Sequence, residues 1–409
     1  MKLQILPAIV SSLVLSTMFS CTPESGNDNV HLRNSQTVNK REFIPDQDPH
    51  LNPKNSKKTK IKLALILDTS NSMDGLIDQA KNQLWKIVME LAKTKDKNGE
   101  DPDIDLALYQ YGNDNLSLRN GYVELVQKFT GELDEISEKL FALKTNGGEE
   151  YCGQVIKSSL NELKWSNSAL DLQMIYIAGN EGFNQGDFDY KEVCTWAKNK
   201  NITVNTIFCG KRNEGIKTFW KHGADITGGQ FACIQSDAKS IHYESPYDDE
   251  ISRLNVELNK TYVPYTTSGI GKKQKQLLED RKAQRLNKSM ASKRYLSKGS
   301  KVYKNNKWDL VDYAKEESFE VDSVTSEALP DSLGKLSKSD LKKKINELSN
   351  TRESIKKEMS DLSKKREDYV QAQKAKAAKS DTAMLEDAII KGLKDQAKKK
   401  SIKFEKKMN

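Results

Sequence analysis

One carboxylate and two hydroxyls, Asp68, Ser70 and Ser72, stand at alternate positions in Asp68-Thr69-Ser70-Asn71-Ser72. They are hard oxygen donors, of the kind that suits Mg²⁺ or Mn²⁺ rather than zinc. The run before them, Ile61-Lys62-Leu63-Ala64-Leu65-Ile66-Leu67, is almost wholly apolar and reads as a buried parallel strand. Gly75 and an apolar-periodic helix, Leu76 to Leu91, follow. The three donors therefore belong in a turn at the C-terminal end of a central strand, the edge of an open α/β sheet where ligands bind.

The elements that position this turn can be read in order. Ile104 to Tyr111 and Tyr122 to Phe129 read as strands joined in a hairpin through Asn113 to Gly121. Leu133, Ile136, Leu140 and Leu143 make a helical face. The loop Lys144-Thr145-Asn146-Gly147-Gly148-Glu149-Glu150 follows, and its two glycines allow a tight path. A helix over Gln154 to Leu163 leads to the apolar strand Leu172 to Ile177. Helix Phe188 to Lys200, strand Ile202 to Phe208, a short helix at Ile216 to Gly223, edge strand Gln230 to Ile234 and helix Asp248 to Leu258 complete the pattern. Strands alternating with helices predict a doubly wound, mostly parallel sheet with helices on both faces.

Asp68-x-Ser70-x-Ser72 after a buried strand resembles the metal-ion-dependent adhesion site of von Willebrand factor type A (vWA) domains. The resemblance covers about residues 60–265. It implies a vWA α/β fold and a divalent cation, Mg²⁺ or else Mn²⁺ or Ca²⁺, held by Asp68, Ser70, Ser72 and Thr145. It also implies a protein partner whose carboxylate completes the coordination sphere, and binding rather than catalysis. The family places an aspartate after the strand at Leu172 to Ile177. Simple register puts Gly179 there, with Asn180 or Glu181 as the residues able to reach inward instead. Tyr176 to Gly186, Tyr151-Cys152-Gly153 and Asn205 to Gly210 are similar to a subgroup of exported bacterial vWA proteins.

The N-terminus reads as a targeting segment. Lys2 precedes an apolar stretch, Leu3 to Phe19, which is too short for a good membrane span. Ser20-Cys21 at its end looks like a bacterial lipoprotein cleavage site, with Cys21 the lipidated residue and residues 1–20 the signal peptide. A lipid anchor places the chain in the bacterial cell envelope, and Thr22 directly after Cys21 favours the outer membrane. Residues 21–59 are polar and read as a disordered tether. Export bears on the other cysteines: Cys152, Cys194, Cys209 and Cys233 are even in number and permit two disulfides in an oxidising compartment, by any of three pairings. None has zinc-site spacing.

Charge is uneven. Residues 271–409 carry 36 Lys+Arg against 22 Asp+Glu, so a basic tail follows an acidic front. In an exported chain a basic run suggests anionic head groups or wall polymers rather than nucleic acid, or simply a solvated helix face. Residues 266–335 read as a hinge at Thr266 to Gly271 followed by a basic, then acidic, partly helical connector. Residues 336–409 read as a coiled-coil and basic helical tail. Leu341, Leu348, Ile355, Leu362 and Tyr369 form one heptad line, and Ile345, Arg352, Met359 and Arg366 form the other. Arginines in the seam suit an antiparallel pair, which would support self-association, or a helix lying on the domain.

There is no Ser-His-Asp set, phosphate-binding glycine loop or zinc signature, which argues against an enzyme. The reading is an exported, lipid-anchored binding protein using a cation site. The competing reading is an envelope assembly protein with a degenerate site, acting through its tail.

Overall fold

The computed structural model describes residues 58–234, 243–300, 302–325, 329–376 and 381–404. The signal peptide, Cys21 and the tether expected over residues 21–59, apart from Lys58 and Thr59, lie outside these residues. Among the described residues no helix is long and apolar enough to cross a membrane.

The alternating pattern folds as β1 (Lys60–Asp68), α1 (Ile77–Leu91), β2 (Asp103–Tyr111), β3 (Val123–Thr130), α2 (Leu133–Ala142), α3 (Cys152–Glu162), β4 (Leu172–Gly179), α4 (Tyr190–Asn199), β5 (Thr203–Cys209), α5 (Trp220–Thr227) and β6 (Phe231–Ile234). The sheet order is β3-β2-β1-β4-β5-β6. All neighbours are parallel except β3, which returns antiparallel to β2 as the expected hairpin. The central strand β1 is covered on both faces, which is why it reads as an unbroken apolar run. Leu63, Leu65 and Leu67 join one core, with Ile87 of α1 and Ile136 of α2. Ala64 and Ile66 join the other, with Ile156 of α3 and Val193 of α4.

The disulfides expected among Cys152, Cys194, Cys209 and Cys233 are not formed; all four are buried free thiols. Sheet geometry separates the closest strand pair. Phe208 is in register with Cys233, so the next residue, Cys209, points to the opposite face. Cys209 lies in one core, and Cys152, Cys194 and Cys233 lie in the other. Burial pushes the Cys194 thiol up to about 12 and Cys233 up to about 11, so both are protonated at neutral pH.

The C-terminal third is packed on the sheet domain. It comprises α6 (Asp248–Lys260), α7 (Thr267–Leu286), α8 (Lys288–Gly299), α9 (Lys338–Lys376) and α10 (Asp381–Lys399). The hinge expected at Thr266 to Gly271 is instead the first turn of α7. The acidic connector begins on buried Leu310 and Val311, which pack with Val263. Ile355 and Met359 of α9 and Leu393 and Ala397 of α10 share the core under β1. Of the two arrangements that suit its seam arginines, α9 adopts the second: it lies on the domain. Arg352 binds Asp309 (2.5 Å) and Asp312 (2.7 Å), and Arg366 binds Asp248 (2.7 Å). The seam expected to drive self-association is therefore covered by the same chain.

The charge asymmetry is partly neutralised inside the molecule. Lys272 of α7 pairs with Glu132 (2.6 Å) and with Glu135 of α2, and Lys275 pairs with Glu138. Arg294 of α8 joins Asp134 to Asp280. Asp280 also takes hydrogen bonds from Lys298 (2.6 Å), Asn255 (3.0 Å) and Asn259 (2.9 Å). The basic run is thus in part an internal interface rather than a wholly solvated face.

This network sets an acid limit. Burial would raise the Asp280 carboxyl, but the charges of Lys298 and Arg294 outweigh it and hold it at about 2. A depressed carboxyl stabilises the fold above its unfolded value near 3.8, and that stability is lost as pH falls from there toward about 2. Asp280 is expected to contribute about 2 kcal/mol in this way. Unfolding of wild type and Asp280→Asn from pH 5 to pH 2 checks it: the gap between them should close below about pH 4. A constant gap would contradict the assignment.

Candidate functional site

Three strand ends converge at the C-terminal edge of the sheet. Asp68 ends β1 beside Tyr111 of β2, and Leu67 lies beside Ala178 of β4. Asp68 is fully buried. Its Oδ1 accepts the Ser70 N–H at 2.8 Å, which folds the turn back over the strand end. Its Oδ2 is buried with no hydrogen-bond partner. A single helical turn, Asn71–Met73, then leads toward α1.

The two serines are gathered as the spacing predicts. Ser70 Oγ lies 2.8 Å from Ser72 Oγ. Ser72 Oγ donates to Asn180 Oδ1 at 2.9 Å, and Asn180 Nδ2 donates to the Ser72 carbonyl at 2.9 Å. Of the two residues able to stand in after β4, Asn180 is thus the one that reaches the serine turn. Glu181 is half-buried and acts at longer range, its charge raising the carboxyl of Glu150.

Thr145 does not join this group. Its hydroxyl donates to the Asp74 carboxylate and ties its loop to the residue after the serine turn. Farther along the same loop, Glu150 is the residue brought to Asp68. It is 8% exposed. Two glycines make this approach. Gly112 has φ +75°, and a Cβ there would lie 2.9 Å from both Asp68 Oδ1 and Glu150 Cγ. Gly148 has φ +152°, and a Cβ there would lie 2.6 Å from the Gly112 carbonyl oxygen. Backbone passes against backbone at a separation that side chains forbid. Sequence reasoning weighed the loop for its hydroxyl and passed over Glu150; the signal was an acidic pair directly after Gly147-Gly148.

The β4 side is closed. A Cβ on Gly179 would overlap the Tyr111 hydroxyl and lie 3.0 Å from Asp68 Oδ2. Tyr111 is fully buried, and its hydroxyl lies 3.4 Å from the Ala178 carbonyl and 3.5 Å from Cys152 Sγ. The space a β4 carboxylate would need is occupied by this ring.

Electrostatically the site accumulates negative charge. Burial pushes Asp68 up to about 7; the Ser70 hydrogen bonds oppose that and the Glu150 charge adds to it. Burial pushes Glu150 up to about 7 as well, with Glu181 and Glu149 adding and Ser70 opposing. The Ser70–Ser72 and Ser72–Asn180 contacts use both hydroxyl hydrogens and leave acceptor lone pairs open on Ser70 Oγ and Ser72 Oγ. Among the described residues no cluster of three or more His, Cys, Asp and Glu is placed to hold a metal. What is placed here is a mixed carboxylate and hydroxyl set with surplus lone pairs and an orphaned buried oxygen, which fits a hard divalent cation.

Strand order 3-2-1-4-5-6, with one antiparallel edge strand and an oxygen-rich turn at the end of the first strand, decides the architecture. The sheet and its helices form a vWA fold. No family model matches the sequence, and no curated protein does. Among solved structures the sheet domain is similar to the conserved hypothetical protein BatB from Bacteroides thetaiotaomicron, at 13% identity over 43% of this chain and 90% of that one, TM-score 0.34. It is similar to the SpRpn10 VWA domain, at 13% identity over 44% and 89%, TM-score 0.33. It is also similar to the vWF domain of the type V pili tip protein Mfa5 from Porphyromonas gingivalis, at 13% identity over 43% and 90%, TM-score 0.32.

Proposed function

We propose that this chain is an exported binding protein whose vWA domain captures a protein partner through a divalent cation at the end of β1. Asp68, Ser70 and Ser72 would hold the ion, with Mg²⁺ the first choice and Mn²⁺ or Ca²⁺ the others. The ion supplies a positive pole that a partner's Asp or Glu can approach. The observation that carries this reading is the fully buried Asp68 Oδ2 with no partner, beside two serine hydroxyls that keep acceptor lone pairs open. A buried unpaired carboxylate oxygen is costly, and a cation removes the cost. The targeting sequence supports lipid anchoring at Cys21 in the envelope. We read the site as a surface for binding rather than for catalysis, as the vWA resemblance implies. The competing assembly reading is weaker because the apolar seam of α9 is already covered.

Titration of Mg²⁺, Mn²⁺ and Ca²⁺ into the purified full-length protein by calorimetry tests this. Saturable binding by at least one ion, lost in Asp68→Ala, is expected. Absence of binding by all three in the wild type would overturn the proposal.

A further inference from the structure

We infer that Glu150 is the second carboxylate ligand of the cation site, so that the ion sits between β1 and the Gly147-Gly148 loop rather than against β4. This rests on the proposed cation-dependent binding and names a ligand within it.

Three observations converge. Neither of the first two positions after β4 supplies a carboxylate: Tyr111 fills the space beside Gly179, and Asn180 is bound to Ser72. The opposite side is built to supply one. Gly112 and Gly148 hold backbone conformations that L side chains rarely adopt, and a Cβ on Gly112 would lie 2.9 Å from both Glu150 Cγ and Asp68 Oδ1. Both residues are buried, and Asp68 Oδ2 has no partner. Two buried carboxylates this close repel one another, and the charge of Glu181 adds to the repulsion on Glu150. Ser70 donates its N–H to Asp68 Oδ1 and holds its Oγ against Ser72. A divalent cation neutralises the pair and uses the Ser70 and Ser72 lone pairs that the hydroxyl hydrogens leave open.

The arrangement also separates the roles of two neighbouring acids. Glu149 is exposed and Glu150 buried, so only the second can act as an internal ligand.

The test uses the full-length protein and Mn²⁺, with affinity read by electron paramagnetic resonance and thermal midpoints read in Mn²⁺ and in EDTA. Glu150→Gln is nearly isosteric. It is expected to weaken Mn²⁺ binding by about tenfold or more, as loss of a ligand should. It should also abolish the Mn²⁺-induced rise in midpoint while leaving the EDTA midpoint unchanged or raised, since a buried like-charge contact is removed. Glu149→Gln and Thr145→Ala should bind Mn²⁺ as wild type does. If Glu150→Gln binds like wild type while Asp68→Asn does not bind, the inference is overturned and the cation site stands. If Thr145→Ala loses binding and Glu150→Gln keeps it, the ligand is the threonine. If wild type itself binds no Mn²⁺, the cation reading and this one fall together.

Discussion

Arg352→Ala is expected to destabilise the protein by about 3–5 kcal/mol, the range for breaking a buried ion pair from one side. Arg352 and Asp309 are both fully inaccessible, and Asp312 is nearly so. The guanidinium donates to both aspartates, to Thr261 Oγ1 at 2.9 Å and to the Thr261 carbonyl at 2.5 Å, and stacks on the Tyr262 ring at 4.1 Å. Burial raises the Asp309 carboxyl, and the Arg352 charge is the main force opposing it. Alanine would leave two desolvated carboxylates and an unfilled volume beneath α9. The loss is much larger than that of a surface pair such as Lys315–Glu353, worth about 0–1 kcal/mol. Urea unfolding of Arg352→Ala, Asp309→Asn and the double variant measures it. The double variant should lose clearly less than the sum of the singles, because the uncompensated charge is gone. A loss below about 1 kcal/mol for Arg352→Ala would mean that α9 is not clamped to the domain in this way.

Gly179→Asp restores the residue that the vWA resemblance leads one to expect, and it is expected to do harm. Its Cβ would overlap the Tyr111 hydroxyl and press on Asp68, and its carboxylate would enter a site that already holds Asp68 and Glu150. Overpacking of this kind costs about 1–3 kcal/mol, and like-charge repulsion adds to it. The thermal midpoint should fall and Mn²⁺ affinity should not rise. Gly179→Ala in a Tyr111→Phe background separates the causes: removing the hydroxyl should reduce the steric part of the penalty. Tighter Mn²⁺ binding by Gly179→Asp at unchanged stability would show that Tyr111 yields its place and that β4 can supply a ligand after all.

The two variants probe the places where sequence and structure part. The heptad line from Leu341 to Tyr369 shows that one face of α9 is covered, and Leu341, Ile345, Ile355 and Met359 are indeed buried. It does not show what covers that face. An apolar stripe is the same whether it meets a second copy or the sheet domain, and the aspartates that receive Arg352 and Arg366 are 40 to 118 residues away in sequence. The loop after α2 poses the same problem on a smaller scale. Thr145, Glu149 and Glu150 are all polar residues in a glycine loop, and no local period says which of them turns inward.

What the sequence determined by itself was the sheet and the start of its site. Continuous apolar runs bounded by turn residues specify buried parallel strands, and side-chain alternation is a property of the single strand. Asp68 at the end of β1, with two serines at alternate positions, was therefore placed at the sheet edge before any contact was known. The tertiary structure decided the rest: Glu150 rather than Thr145 beside Asp68, Tyr111 in the space next to Gly179, free thiols in place of disulfides, and α9 clamped to its own domain. Each depends on two segments distant in sequence approaching to within a few ångströms. That approach is set by close packing and by backbone conformations such as those of Gly112 and Gly148, which periodicity does not record.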